Sequence, residues 1–306
     1  MAFDLTQPLV IGISSRALFD LEAENLVYET QGLQAYINYQ HEHENDVLPK
    51  GTAFSLVEAF LKLNRLQKEH RTVEVIIMSR NSADTSLRIF RSIKHYGLDI
   101  TRAALVGGAE VTPYLKAFRA DLFLSAHAPD VKQAVDNGIA AGMILTGGAK
   151  GENGSRIDQI RIAFDGDAVL FSAESEKVFK QQGLDAFMQH ETSRADMPLA
   201  KGPFANFLMT ISNLQHLYHA QEQSPIRTAL VTSRSAPAHE RAIKTLRNWG
   251  VRVDEAFFLG GVPKTDILAS FGAHIFFDDQ QVHAEPASTV VPSAVVPYRN
   301  GDDPTR

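Results

Sequence analysis

RIAFDGDAVLFSAESEKVFKQQGLDAF, residues 161–187, is the stretch on which the fold turns. It lies without a gap on VIGISSRALFDLEAENLVYETQGLQAY, residues 10–36, at an offset of 151. Ile11 meets Ile162, Ala17 meets Ala168, Val27 meets Val178, and Gln31-Gly32-Leu33 meets Gln182-Gly183-Leu184. The same offset carries Leu48, Lys50, Gly51 and Leu66 onto Leu199, Lys201, Gly202 and Leu217. It becomes 154 where Ser79-Arg80 meets Ser233-Arg234, then 153 from Gly97 on Gly250 to Phe123 on Phe276. Ordered matches at a near-constant offset mark an internal repeat. The 306 residues therefore read as a duplicated unit, 1–150 followed by 151–306.

Each copy alternates short apolar, β-branched runs with amphipathic helices, which predicts an α/β fold of two tandem Rossmann-like parallel-sheet domains. The second copy's runs are IRIAF (160–164), TALVT (228–232), AFFL (256–259) and HIFF (274–277). Ala242, Ile243, Leu246 and Trp249 keep helical spacing, as do Leu87, Phe90 and Ile93 in the first copy. Mainly helical stretches, about 36–70 and 187–223, read as insertions over the sheet edge. TGGAKGENGS (146–155) is glycine-rich but has no G-x-x-x-x-G-K-[ST], so it reads as an interdomain linker. The tail from about Gln281 reads as partly irregular.

Composition narrows the function. Thirty Lys and Arg against 36 Asp and Glu give a net charge of −6, and there is no cysteine. Disulfides, thiolate metal sites and a cysteine nucleophile are thereby excluded. No apolar run approaches the roughly 18 residues of a membrane-spanning helix. MAFDLTQPLV also lacks the basic stretch and apolar core of a signal peptide, so the sequence predicts a cytoplasmic protein without a membrane partner. A pI near 6.0 and the lack of a Lys/Arg run argue against nucleic acid.

The differences between the copies point to chemistry. After its first strand the second copy has Asp165-Gly166-Asp167, where the first has Ser14-Ser15-Arg16. Asp278-Asp279 replaces Ser125-Ala126, Lys264 replaces Val111, and Thr232 replaces Met78. Open α/β sheets bind ligands at such strand ends. Crowded carboxylates are costly unless a cation neutralises them or one stays protonated. Four carboxylates with one Lys and one Thr have the composition of a divalent-cation site that holds a phosphate.

In order, FDGDAVLF, LVTSR, Lys264 and IFFDD resemble the four motifs of the haloacid-dehalogenase superfamily of phosphohydrolases. Through SSRALFDLE, YQHEHEN, GGAEVTPYLKAF, FDGDAVLF and HIFFDDQ the chain is similar, over nearly its full length, to the type I cytosolic 5'-nucleotidases. That resemblance implies Mg²⁺-dependent hydrolysis of a nucleoside 5'-monophosphate. Asp165 would be the nucleophile that forms an aspartyl-phosphate, and Asp167 the general acid and base. Mg²⁺ would be held by Asp165, by the backbone carbonyl of Asp167, and by one or both of Asp278 and Asp279. Thr232, with Ser233 beside it, and Lys264 would bind the phosphate. Residues 1–150 would be a degenerate, catalytically blank haloacid-dehalogenase-like copy with a regulatory or substrate-supporting role. A nucleotide effector acting there, and a homo-oligomer, are compatible with this picture. The alternatives are a phosphatase of another small phosphomonoester, such as a sugar phosphate, and a nucleotide-binding regulator without turnover.

Several residues keep two readings. His41-Glu42-His43-Glu44 alternates as on a strand or loop, unlike the i, i+4 pair of helical zinc sites, and reads as a solvated or substrate-proximal loop. Arg16 either holds a ligand phosphate or fills the old site with a salt bridge. Phe204 and Phe207 either stack on a nucleobase or, as the favoured reading, pack a helix face.

Overall fold

The computed structural model describes residues 4–66, 70–149, 159–218 and 224–303. The first half runs β1 (Leu9–Ile13), α1 (Ser15–Leu18), α2 (Glu22–Glu42), α3 (Phe54–Leu63), β2 (Val73–Ser79), α4 (Leu87–His95), β3 (Arg102–Leu105), α5 (Thr112–Ala117), β4 (Leu122–Ser125), α6 (Ala128–Asp136) and β5 (Ala140–Ile144). The second runs β6 (Ile160–Phe164), α7 (Glu174–Ser193), α8 (Ala205–Leu217), β7 (Ile226–Thr232), α9 (His239–Asn248), β8 (Glu255–Phe258), α10 (Thr265–Phe271), β9 (Ile275–Asp278), α11 (Gln281–Ser288) and β10 (Ser293–Val295). All four strands expected in the second copy are present, within two residues of the expected ends.

One ten-stranded sheet results, in the order β3-β2-β1-β4-β5-β10-β9-β6-β7-β8. Counted outward from the middle, each half has the same strand order, and every pair within a half is parallel. The halves meet where β10 runs antiparallel to β5, with Ala294 opposite Ile144 and Val295 opposite Met143. That reversal sends the carboxyl strand ends of the two halves to opposite edges of the sheet. β1, β2 and β7 are buried almost throughout because helices cover both faces of the sheet. α5 and α6 cover one face of the first half, and α10 and α11 that of the second. The other face carries a single apolar cluster drawn from both halves.

The helical insertions depart from expectation. They do not cap an edge: α3 and α8 lie in the shared cluster, and α3 spans the seam to touch both β2 and β6. Their runs FSLVEAFLKL and ANFLMTISNL are too apolar to leave in water. Helix also begins earlier than expected, at Glu22 and Glu174, and both long helices break at the matched glycines, Gly32 (φ 83°) and Gly183 (φ 84°). On α4 the buried stripe is Ile89, Ser92 and Ile93; Leu87 and Phe90 are largely exposed. The tail is more regular than expected, since it supplies α11 and β10 before turning irregular. Residues 67–69 of the first insertion, 150–155 of the expected linker and 219–223 of the second insertion lie outside the described residues.

Two further glycines set the turns that follow β1 and β6. Phe19 bridges Lys50, and Phe171 bridges Lys201. The next residues, Gly51 and Gly202, press so close that a Cβ on Gly202 would overlap the carbonyl oxygens of Phe171 and Val169. Backbone cannot yield as a side chain can, so Gly202→Ala should cost about 3 kcal/mol. Gly183→Ala meets open space and carries only the left-handed backbone penalty, about 1–2 kcal/mol. Urea unfolding of both variants checks this ranking, and a Gly183→Ala more damaging than Gly202→Ala would contradict it.

Candidate active site

The turn after β6 differs from its counterpart after β1. Ser15–Leu18 form a regular helical turn capped by the Ser14 side chain. In the second half Asp167 is extended (φ −71°, ψ 140°) and Ala168 is left-handed (φ 59°). A left-handed alanine is strained, and such strain concentrates where function demands a geometry. Gly166 lets this turn close on β7: a Cβ there would lie 3.2 Å from Thr232 Oγ1. The Asp165 N–H donates to the Phe277 carbonyl at 2.8 Å, which fixes the turn to the end of β9.

Four of the expected residues come together here. Lys264, just before α10, donates from Nζ to Asp165 Oδ1 and Asp278 Oδ2, each at 2.7 Å. All three side chains are buried, and so is Asp279. Carboxylate oxygens of Asp165, Asp278 and Asp279 lie within 4.8 Å of one another. Among the described residues this is the only group of three or more such side chains close enough to share a cation. Asp278 Oδ1 accepts from the Gln280 N–H at 2.8 Å. Asp279 is held through Oδ2 by the Tyr298 hydroxyl, whose oxygen also lies 3.1 Å from Glu176 Oε1. The other oxygen, Asp279 Oδ1, is buried with no hydrogen-bond partner among the described residues. A buried, unpaired carboxylate oxygen in a cluster of hard oxygen donors fits a divalent cation.

The electrostatics agree. Burial, with the nearby Asp278 and Asp167 charges, pushes the Asp165 carboxyl up to about 7 despite Lys264. Burial raises Asp279 as well, aided by Asp165, Glu176 and Asp278. For Lys264 burial works against the ammonium, but Asp165 and Asp278 outweigh it and raise its pKa.

Asp167 stands apart from the cation group. Its carboxylate makes a two-pronged pair with Arg234, Nε to Oδ2 at 2.8 Å and NH2 to Oδ1 at 2.7 Å. Arg234 is buried and also donates to Glu191, which in turn accepts from Arg241 at 2.9 Å and from Ser175 Oγ at 2.8 Å. Arg234, Glu191 and Tyr298 were not among the expected site residues. Arg234 had a signal, because it follows Thr232-Ser233 and has Arg80 as its repeat partner; Glu191 and Tyr298 had none in the sequence. Thr232 is buried at the end of β7, and Ser233 is exposed beside it. Phe204 and Phe207 pack in the core, as favoured. An aromatic pair does stand near this edge: Phe187 lies 5.4 Å from the Arg234 guanidinium, and Phe179, 48% exposed, meets it edge-on at 6.2 Å.

The His41-Glu42-His43-Glu44 segment is not a strand or loop at its start, because α2 continues through Glu42. His41 Nε2 lies 3.0 Å from Asp84 Oδ2, and His43 stacks on Tyr39 with centroids 4.0 Å apart. Asp84 follows β2, so His41 sits at the edge opposite Asp165.

Fold and site together define an α/β protein with a buried acidic cluster at the strand ends of one half. A family model described as 5'-nucleotidase matches residues 1–303, and the chain belongs to that family. Cytosolic 5'-nucleotidase 1B of Homo sapiens is 42% identical over 289 residues, which are 91% of this chain and 47% of that protein. The chain thus spans about half the length of this curated relative. A histidinol dehydrogenase structure from Elizabethkingia anophelis aligns with 90% of this chain and 73% of its own at 8% identity, with a TM-score of 0.21. No helix among the described residues is long and apolar enough to cross a membrane.

The raised Asp165 pKa has a consequence for stability. A folded-state value of about 7 lies above the unfolded 3.8, so this group's contribution is full below the unfolded value and lost as pH rises through about 7. A cation that favours the ionised carboxylates should therefore raise the thermal midpoint more at about pH 8 than at about pH 5. Thermal melts with and without Mg²⁺ read this directly; equal shifts at both pH values, or none at the higher one, would contradict it.

Proposed function

We propose that the chain hydrolyses nucleoside 5'-monophosphates to nucleoside and phosphate, with Asp165 as nucleophile and Mg²⁺ as cofactor. The observation that carries this reading is Lys264 bridging two carboxylates of a buried three-carboxylate group, with Asp167 two residues on from Asp165 in the same turn. Two further features support it, the family and the concentration of ionisable strand ends in one half. The shared strand order supports descent of both halves from one haloacid-dehalogenase-like unit, with 1–150 catalytically blank and 151–306 catalytic. Cytosolic action is carried over from the relative's name, and the reading leaves room for a nucleotide effector and a homo-oligomer.

Asp165 Oδ attacks phosphorus, a P–O bond to the enzyme forms, and the bond to the 5' oxygen breaks in line. Asp167 gives that oxygen a proton as it leaves. It then takes a proton from water, whose oxygen attacks phosphorus and releases phosphate and the free Asp165 carboxylate. In the structure Arg234, anchored by Glu191, binds both oxygens of the Asp167 carboxylate, so Asp167 gives and takes its proton only once it has left that pair. Lys264, Thr232 and Ser233 bind the phosphate oxygens and stabilise charge in the transition state. Asp165, Asp278, Asp279 with its unpaired Oδ1, and the Asp167 backbone carbonyl would hold Mg²⁺. When bound, the ion supplies charge that offsets repulsion between the nucleophile and the phosphoryl group.

The aromatic pair Phe179 and Phe187 favours a nucleotide over a sugar phosphate, because a planar base stacks on such a wall. A panel of nucleoside monophosphates and sugar phosphates, with and without Mg²⁺, tests the reading. Asp165→Asn should lower kcat by about a thousandfold or more. Phe179→Ala should raise KM for nucleotides about tenfold and leave sugar phosphates unaffected. Full activity of Asp165→Asn, or phosphate release without metal, would overturn the mechanism.

A further inference from the structure

After β10 the chain returns to the acidic cluster as a strap, residues 298–301, moored on both halves. The Asn300 N–H donates to Asp136 Oδ1 at 3.0 Å, and Lys132 Nζ donates to Asn300 Oδ1 at 2.8 Å, which ties the strap to α6 of the first half. On the other side Lys177 of α7 donates to the Gly301 carbonyl at 2.8 Å, and Arg299 NH2 to the Gly202 carbonyl at 3.4 Å. We propose that Tyr298, carried by this strap, is a positioning residue for the cation: by occupying Asp279 Oδ2 it fixes Oδ1 as the oxygen offered to the ion, and so sets the affinity of the cluster for a divalent metal. The inference rests on the cation reading of that cluster and deepens it.

Hydrogen-bond accounting argues first. A phenol has one proton to give. Here it goes to Asp279 Oδ2, and the phenol oxygen accepts from Lys180 Nζ at 3.4 Å. Lys180 is held in turn by Glu176 Oε1 at 2.7 Å, and its ammonium lies 5.6 Å from the centre of the Tyr298 ring. Gln280 Nε2 donates to the same oxygen of buried Glu176 at 3.0 Å. Donation thus runs one way, from Lys180 to Tyr298 to Asp279, and each bond polarises the next. With Oδ2 taken, Asp279 Oδ1 is left buried with no partner among the described residues. A carboxylate bonded through one oxygen presents the other in a single direction, and supports of this kind typically set metal affinity by about 10–100-fold.

The repeat argues second. At the offset of 151 Glu176 and Lys180 meet Asn25 and Glu29, and at 153 Asp279 meets Ala126. The supports therefore accompany the carboxylate that they serve and are missing from the half without it. A tie that only fastened a long helix to the sheet would be as useful on α2, the counterpart of α7, where neither Glu176 nor Lys180 recurs.

Titration of the full chain with Mn²⁺ and no nucleotide, with the free ion counted by electron paramagnetic resonance, tests this; the Asp279→Asn chain sets the background from other acids. Tyr298→Phe keeps the ring and the strap and removes the hydroxyl, and it should weaken the Mn²⁺ site about tenfold or more. Lys177→Met cuts one mooring of the strap and should weaken the site about two- to threefold. A merely structural role would lower the thermal midpoint in EDTA and leave the Mn²⁺ affinity of the folded chain unchanged. That result with Tyr298→Phe, or tighter binding, would overturn the inference. Should that variant not fold, unchanged affinity in Lys177→Met would do the same. A parent chain that takes up no Mn²⁺ above the background would overturn the cation reading itself, so the two failures are distinct.

Discussion

A single ammonium group, Lys264 Nζ, lies between the carboxylates of Asp165 and Asp278, and the second half is arranged around that contact. Removing charge from water costs several kcal/mol per ion, about enough to unfold a domain if left unpaired. The surrounding structure meets that cost. Tyr298 on the returning tail restrains Asp279, the Asp165 N–H is tied to β9, and Gly202 allows the turn after β6 to seat. Lys264 and the Arg234–Glu191–Arg241 network offset part of the negative charge but leave Asp279 Oδ1 unmatched. That residual acidity is what suits the cluster to a cation and, through it, to an anionic substrate.

The seam between β5 and β10 is the second constraint. Joined antiparallel, two halves of identical strand order present their ligand-binding ends on opposite edges, which share no residues. The two edges differ in charge, while the common apolar cluster, crossed by α3, holds the halves together. One edge carries carboxylates and a lysine; at the matched positions the other carries hydroxyls and an arginine.

Much of this was legible in the sequence because it is local or periodic. Strand runs are short apolar segments, and the repeat offset places strand ends whose residue types differ between copies. The contrast of Asp165 with Ser14, or Asp278 with Ser125, needs no coordinates. Other features depend on the chain folding back from a distance. Tyr298 reaches Asp279 only because β10 returns toward the same edge, and Glu191 reaches Arg234 only because α7 lies over the turn. The insertions were misplaced because apolar runs such as FSLVEAFLKL show burial without saying against which surface. The Phe179–Phe187 pair was hidden by spacing, since a break at Gly183 separates residues that the fold then brings together.

Chemistry is proposed to occur at the edge that carries Asp165. Mass-spectrometric mapping of phosphoryl enzyme, trapped by acid quench during turnover of a nucleoside monophosphate and then reduced with borohydride, tests it most directly. Label is expected on Asp165 and on no residue of the first half. Label elsewhere, or turnover without any phosphoryl enzyme, would contradict it.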